Sequence, residues 1–240
     1  YEIPLRLVGS EMCIRDSNLT TQIRPYCIDA ENNYIPGVKL SVYRREFDGS
    51  FTPIGEDLDN NEDVFVIDPH PSLDFARYRI VSTTVATGSV SYTDLPGYPV
   101  GDKHIVMQWD EQWSNFNSTE ENANMESPWS GSMVKLLYNV DVSDASTIDV
   151  EHVKYIGRKR PVSYYGTHVA ESATWNTEVI KDDKETIYAL RRLAVWPGDV
   201  YVREPSGTGY WASVNVSMSQ VHGSLTVPVT FNITRVEGGM

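Results

Sequence analysis

The sequence predicts a mainly β protein in two parts: an N-terminal β-sandwich over residues 18–100, and a C-terminal α+β antiparallel split barrel over 104–240 that carries one helix. Three observations predict it. Turn signals recur about every ten residues from Asn18 to Val100 with no helical period between them, which is the spacing of short antiparallel strands. One amphipathic stretch, DDKETIYALRRLAVWPGD, has the apolar period of a helix. The closing LTVPVTFNITRVE alternates apolar and polar residues more strictly than any other segment.

In the first part, Val38, Leu40 and Val42 alternate with Lys39, Ser41 and Tyr43, as in a half-buried strand. Asp48-Gly49, within RREFDGSFTPI, supplies the positive φ of a tight hairpin turn. Further strands are read at Asp63 to Asp68, at Ala76 to Thr84 and, beyond a Thr87-Gly88 turn, at Val90 to Thr93. LPGYPVGDK, Leu95 to Lys103, has two prolines and two glycines and reads as the linker.

The second part opens with a strand at Ile105 to Trp109, a polar loop from Asp110 to Pro128, and renewed strand character in SMVKLLYNVDV. The helix is expected near 183–195. Asp182 or Asp183 caps its free N–H groups, Ile187, Leu190, Leu193 and Ala194 form the apolar stripe, and Pro197-Gly198 ends it. DVYVREPSGTGYWASVNVSM reads as a hairpin turning at Ser206 to Gly209. In the last strand Leu225, Val227, Val229, Phe231 and Ile233 share one face. Pro228 has no N–H to give a ladder, so this strand is expected at a sheet edge or with a bulge there.

SVYRREFDGSFTPIG and ARYRIVSTTVATGSVS resemble fibronectin type III and other immunoglobulin-like modules. Within Lys103 to Met240, the stretches YIGRKRPVSYYG, TWNTEV, ETIYALRRLAVWPGDVYVREPSGTGYWASVNVSM and LTVPVTFNITRVEGG resemble the tail-tube and distal-tail proteins of tailed bacteriophages. That resemblance implies a non-enzymatic structural component of a phage tail, at its distal tip or baseplate. It also implies a homo-oligomeric ring with other tail proteins as neighbours, in a virion assembled in the bacterial host cytoplasm. An immunoglobulin-like module placed before the barrel departs from the family's pattern and leaves the station in the tail open.

Residues 1–17, YEIPLRLVGSEMCIRDS, hold neither the period of a strand nor that of a helix. Leu7 to Asp16 back-translate in frame to a transposon-type sequencing adapter, and Tyr1 and Glu2 fit the end of the matching primer. The reading sets all seventeen apart as an adapter-encoded segment, places the natural sequence from Asn18, and expects further natural residues upstream. It leaves Cys27 as the one natural cysteine, so no disulfide framework is expected.

With 20 Lys and Arg against 33 Asp and Glu, the chain has a formal net charge of −13. Phosphate neutralisation needs clustered basic side chains, so a nucleic-acid surface is not expected. Nothing approaches the roughly 18 consecutive apolar residues of a helical membrane span. The histidines His70, His104, His152, His168 and His222 lack metal-ligand spacing, and no G-x-S-x-G elbow holds a serine. No catalytic residue, metal or cofactor is expected. EDLDNNED, Glu56 to Asp63, has the alternate carboxylates of a calcium loop, but Glu62 stands where its glycine belongs, and a solvated turn is expected.

GRKR, Gly157 to Arg160, is the one basic cluster, and it makes Arg158, Lys159 and Arg160 the candidate subunit-interface residues, facing acidic patches of a neighbour. The competing view is a solvated hairpin end. Trp109, Trp113 and Trp129 around the polar loop support an alternative function: a carbohydrate-binding or adhesion protein that stacks these rings on a host-surface glycan.

Overall fold

The computed structural model describes residues 7–15, 19–100, 103–110, 132–137, 139–219 and 223–237. These residues are mainly β, in several antiparallel sheets, with one helix described. The chain divides into two compact units, Tyr1–Met133 with Arg203–Gly209, and Val134–Val202 with Tyr210–Met240.

The first unit carries β1 (Leu7–Arg15), β2 (Thr20–Ile28), β3 (Val38–Arg45), β4 (Phe51–Asp59) and β5 (Val66–Asp68). After them come β6 (Phe75–Ala76), β7 (Tyr78–Thr84), β8 (Val90–Asp94), β9 (Tyr98–Pro99) and β10 (Ile105–Trp109). One sheet runs β1-β2-β5, a second runs β4-β3-β7-β8, and β6 pairs with β9. Val8 and Cys27 from the first sheet pack with Val38, Leu40 and Ile80 from the second. Ile23 and Val66 likewise meet Val42, Ala76 and Tyr78. Side chains from these sheets therefore meet in two clusters, each buried aliphatic side chain contributing roughly 1.5–3 kcal/mol.

The period of 2 that buries Val38, Leu40 and Val42 also points Arg44 inward, where it is 5% exposed. Its charge is met there. Arg44 Nη1 lies 2.7 Å from Asp68 Oδ1, and Arg44 Nε lies 2.9 Å from Glu46 Oε1. Tyr78 Oη donates to Asp68 Oδ2 at 2.7 Å, and the His70 amide donates to Asp68 Oδ1 at 3.0 Å. Burial, with the Asp68 carboxylate beside it, pushes the Tyr78 phenol well above its ordinary value.

Three expectations need revision in this unit. Residues 1–17 hold neither the period of a strand nor that of a helix, yet Leu7–Arg15 form β1, which pairs with β2 from Leu7↔Ile28 to Arg15↔Thr20. Ladder bonds come from the backbone, so pairing requires no side-chain period. The expected linker holds β9 and gives Leu95 and Val100 to the core clusters. The acidic turn is not wholly solvated, because Asn60 works as a strand substitute. Its Oδ1 accepts from the Cys27 amide at 2.9 Å, and its Nδ2 donates to the Cys27 and Ile35 carbonyls at 2.7 and 2.9 Å. Asp59 pairs with Lys39 at 2.6 Å.

The 204–208 turn also belongs to the first unit. Glu204 N donates to Thr208 O, and Gly207 takes φ +93°, which fits the hairpin read there. Arg203 is 1% exposed, with Nη1 donating to the carbonyls of Leu19 and Pro71.

Beyond β11 (Ser132–Leu136), the second unit holds β12 (Asp141–Val153), β13 (Val162–Ile180), α1 (Lys184–Leu193), β14 (Val200–Arg203), β15 (Gly209–Met218) and β16 (Thr226–Arg235). Four of these strands lie in the order β15-β16-β13-β12, all antiparallel. Asp183 caps α1 by accepting from the Thr186 amide, and Leu190 and Leu193 are its buried residues. The helix is shorter than the expected 183–195, because Val195 and Trp196 bond three residues back in a tightening last turn. Val227, Val229, Phe231 and Ile233 are buried as one row, whereas Leu225, outside the strand, is 84% exposed.

β16 is neither an edge strand nor bulged at Pro228, the two outcomes expected from that residue: its register with β13 runs unbroken through Pro228. It lies between β13 and β15, with Pro228 opposite Glu178. The proline is tolerated because it faces the side on which β15 has just ended. Register on that side stops at Met218↔Val229, and the Pro228 carbonyl still accepts from the Ser219 amide at 3.1 Å.

Candidate functional site

β12 has thirteen residues and β13 nineteen, and they pair from Asp141↔Asn176 to Val153↔Val162. β16 covers β13 only from Ser172 to Ile180. From Val162 to Glu171 the pair therefore continues as a two-stranded ribbon beyond the four-strand run, about 33 Å at the rise of an extended strand. A register shift interrupts it between Ile148 and Val150, where Gly166 passes close to Asp149.

Twelve of the thirteen positions on β12 are exposed, on both faces. The apolar and aromatic residues left open include Ile148, Val150, Tyr164, Tyr165 and Val169, the last two 71% and 56% exposed. A two-stranded ribbon alone in water is marginal, and an open edge of this length is a template for further pairing. The strand types here, Val, Ile, Thr and Tyr, supply β propensity without a buried face.

Charge is divided along the same hairpin. β12 carries Asp141, Asp144, Asp149 and Glu151 and no Lys or Arg. The segment joining the strands, residues 154–161, carries Lys154, Arg158, Lys159 and Arg160 and no acid. All three candidate interface residues are exposed at that tip. Gly157 takes φ +88° to make the turn, and the Arg158 amide closes it on the Tyr155 carbonyl. Tyr155 Oη lies 2.8 Å from Tyr164 Oη, a hydrogen bond that raises the Tyr155 pKa, and the Arg158 guanidinium sits 5.9 Å from the Tyr155 ring centre. Ile156 stands fully exposed beside them. The tip thus presents cations interleaved with aromatic and aliphatic surface, while the strand leading to it is acidic. Such a pair is complementary between copies in a head-to-tail arrangement.

The tryptophans divide differently. Trp109 is 1% exposed on β10, so its ring faces are covered and offer no stacking platform. Trp113 and Trp129 lie outside the described residues. Of the histidines, His70 is buried, while exposed His152 bonds Ser163 Oγ through Nδ1 at 3.0 Å. Among the described residues no group of three or more His, Cys, Asp or Glu is placed to hold a metal. The sequence reading found the basic tip but missed the ribbon that carries it.

No protein-family profile matches the chain, and no curated protein matches it.

Proposed function

We propose that this chain is a structural component of a bacteriophage tail, at its distal tip or baseplate, and that it works by assembling into a homo-oligomeric ring against other tail proteins. The observation that carries the reading is the β12–β13 ribbon, an exposed two-stranded arm with an acidic strand and a basic tip. In this reading residues 18–100 form an immunoglobulin-like sandwich and 104–240 a split barrel with one helix. The ribbon's tip meets the β12 face of the next copy, and repeating that heterologous contact closes a ring. The work is done by surfaces, and no catalytic step is assigned. The carbohydrate-binding alternative has no favourable observation, since the one described tryptophan of its three is buried.

The test is the oligomeric state. Multi-angle light scattering and negative-stain microscopy of the purified chain are expected to give closed rings whose population falls as salt rises, because the tip contacts are exposed ion pairs. A strict monomer at high concentration and low salt, especially one that retains a glycan on an array, would defeat the proposal.

A further inference from the structure

The geometry points to a binding groove at the foot of the β12–β13 ribbon that takes the basic tip, residues 154–161, of a second copy of this chain. It rests on the head-to-tail reading above and names the seat which that reading leaves open.

Asp141, Asn176 and Thr230 stand opposite one another as one rung across β12, β13 and β16. Glu178 follows on β13 and Thr226 on β16, and with Asn139 these residues line a groove of about 610 Å³. Thr226 Oγ1 donates to Glu178 Oε2 at 2.9 Å, and Thr230 Oγ1 donates to Asn176 Oδ1 at 2.8 Å. An ionised carboxylate has about four acceptor sites, so Glu178 keeps room for further donors after Thr226 is served. Neither Glu178 nor Asp141 forms an ion pair among the described residues. Ile180 and Val229 add aliphatic surface, and none of the described lining residues is basic or aromatic. Carboxylates above an aliphatic floor suit a cation carried on an apolar stem, which is the build of Lys and Arg. A sugar would find no ring there to stack on.

The ribbon's tip is made of such groups. Residues 154–161 carry four cations and no acid, with Ile156 fully exposed among them. A chain's own tip cannot enter its own groove. β12 starts at the groove with Asp141 and stays paired with β13 as far as Val153, which holds the tip about 40 Å away at the rise of an extended strand. The occupant is therefore the tip of another copy. Asp144, Asp149 and Glu151, farther along β12, attract the approaching tip, and the groove seats it.

Site-directed cross-linking of the full chain tests this in a Cys13→Ser background, where Cys27 is buried. One variant carries Ile156→Cys, which leaves all four cations of the tip in place; the other carries Asn139→Cys at the groove. Mixed at low salt with a short bismaleimide, they are expected to give a covalent heterodimer identified by mass. Adding Asp141→Asn and Glu178→Gln to the Asn139→Cys chain should slow its formation about fivefold, the worth of two exposed ion pairs together. A rate indifferent to those two changes would overturn the proposal. A chain carrying both cysteines should link only to other chains, and an internally linked monomer would overturn it too. Asp149→Cys, used in place of Asn139→Cys, separates the seat from the ring. Linkage at position 149 in preference to 139, with rings still present by light scattering, overturns the groove and leaves head-to-tail assembly standing. A monomer that links at neither position overturns both.

Discussion

Replacing Asp68 by Asn is expected to destabilise the first unit by about 3 kcal/mol, near the lower end for removing one partner of a buried ion pair. The magnitude follows from the surroundings of Arg44. Its side chain is 6% exposed, and of its two carboxylate partners Asp68 is 0% exposed while Glu46 is 24% exposed. Glu46 remains in the variant and holds Nε, which keeps the cost away from the upper end of the range. An asparagine oxygen can still accept from Tyr78 Oη or the His70 amide, so the loss is chiefly electrostatic. Adding Arg44→Met removes the buried charge that Asp68 had balanced, and the double variant is expected to be more stable than Asp68→Asn alone. Urea unfolding followed by circular dichroism measures all four corners of the cycle. Costs that add within about 0.5 kcal/mol would refute the coupling on which the reasoning rests.

Tyr78 gives the same network a pH signature. Its phenol titrates higher in the fold than in the unfolded chain, so its contribution is full below about pH 10 and is lost as pH rises through the folded value. Urea midpoints between about pH 9 and 11 should fall for the natural residue, and the Tyr78-dependent part of that fall should vanish in Tyr78→Phe. Asn60→Ala strips three hydrogen bonds from the backbone at Cys27 and Ile35 and is expected to cost about 1–3 kcal/mol in the same assay. Asp183→Ala removes the cap of α1 and should cost about 1 kcal/mol, read as a lower midpoint.

What the sequence disclosed was mostly what one short period can carry. The rows Val38-Leu40-Val42 and Val227 to Ile233, the turns at Gly49 and Gly88, and the Asp183 cap were all legible because each rests on nearest neighbours along the chain. Arg44 was legible in principle, since continuing the period two residues past Val42 points it inward; its charge argued for the surface, and the compensating Asp68 lies far off in sequence. Pro228 misled because the edge rule concerns one side of one residue, not the whole strand. The ribbon was hidden for a different reason. β12 buries no face within this chain, so its sequence carries no apolar period to read. The tip's charges could be seen, but its place at the end of a projecting arm depends on pairing that β16 supplies to only half of β13.

The most direct test of head-to-tail assembly is a charge exchange followed by light scattering and electron microscopy. One variant carries Arg158→Glu, Lys159→Glu and Arg160→Glu at the tip; the other carries Asp144→Lys, Asp149→Lys and Glu151→Lys on β12. Each alone places like charges across the contact and should remain monomeric at physiological salt, while an equimolar mixture restores opposite charges at every contact and should close rings of alternating copies. Rings formed by the tip variant alone, or a mixture that stays monomeric while both variants are folded, would contradict the account.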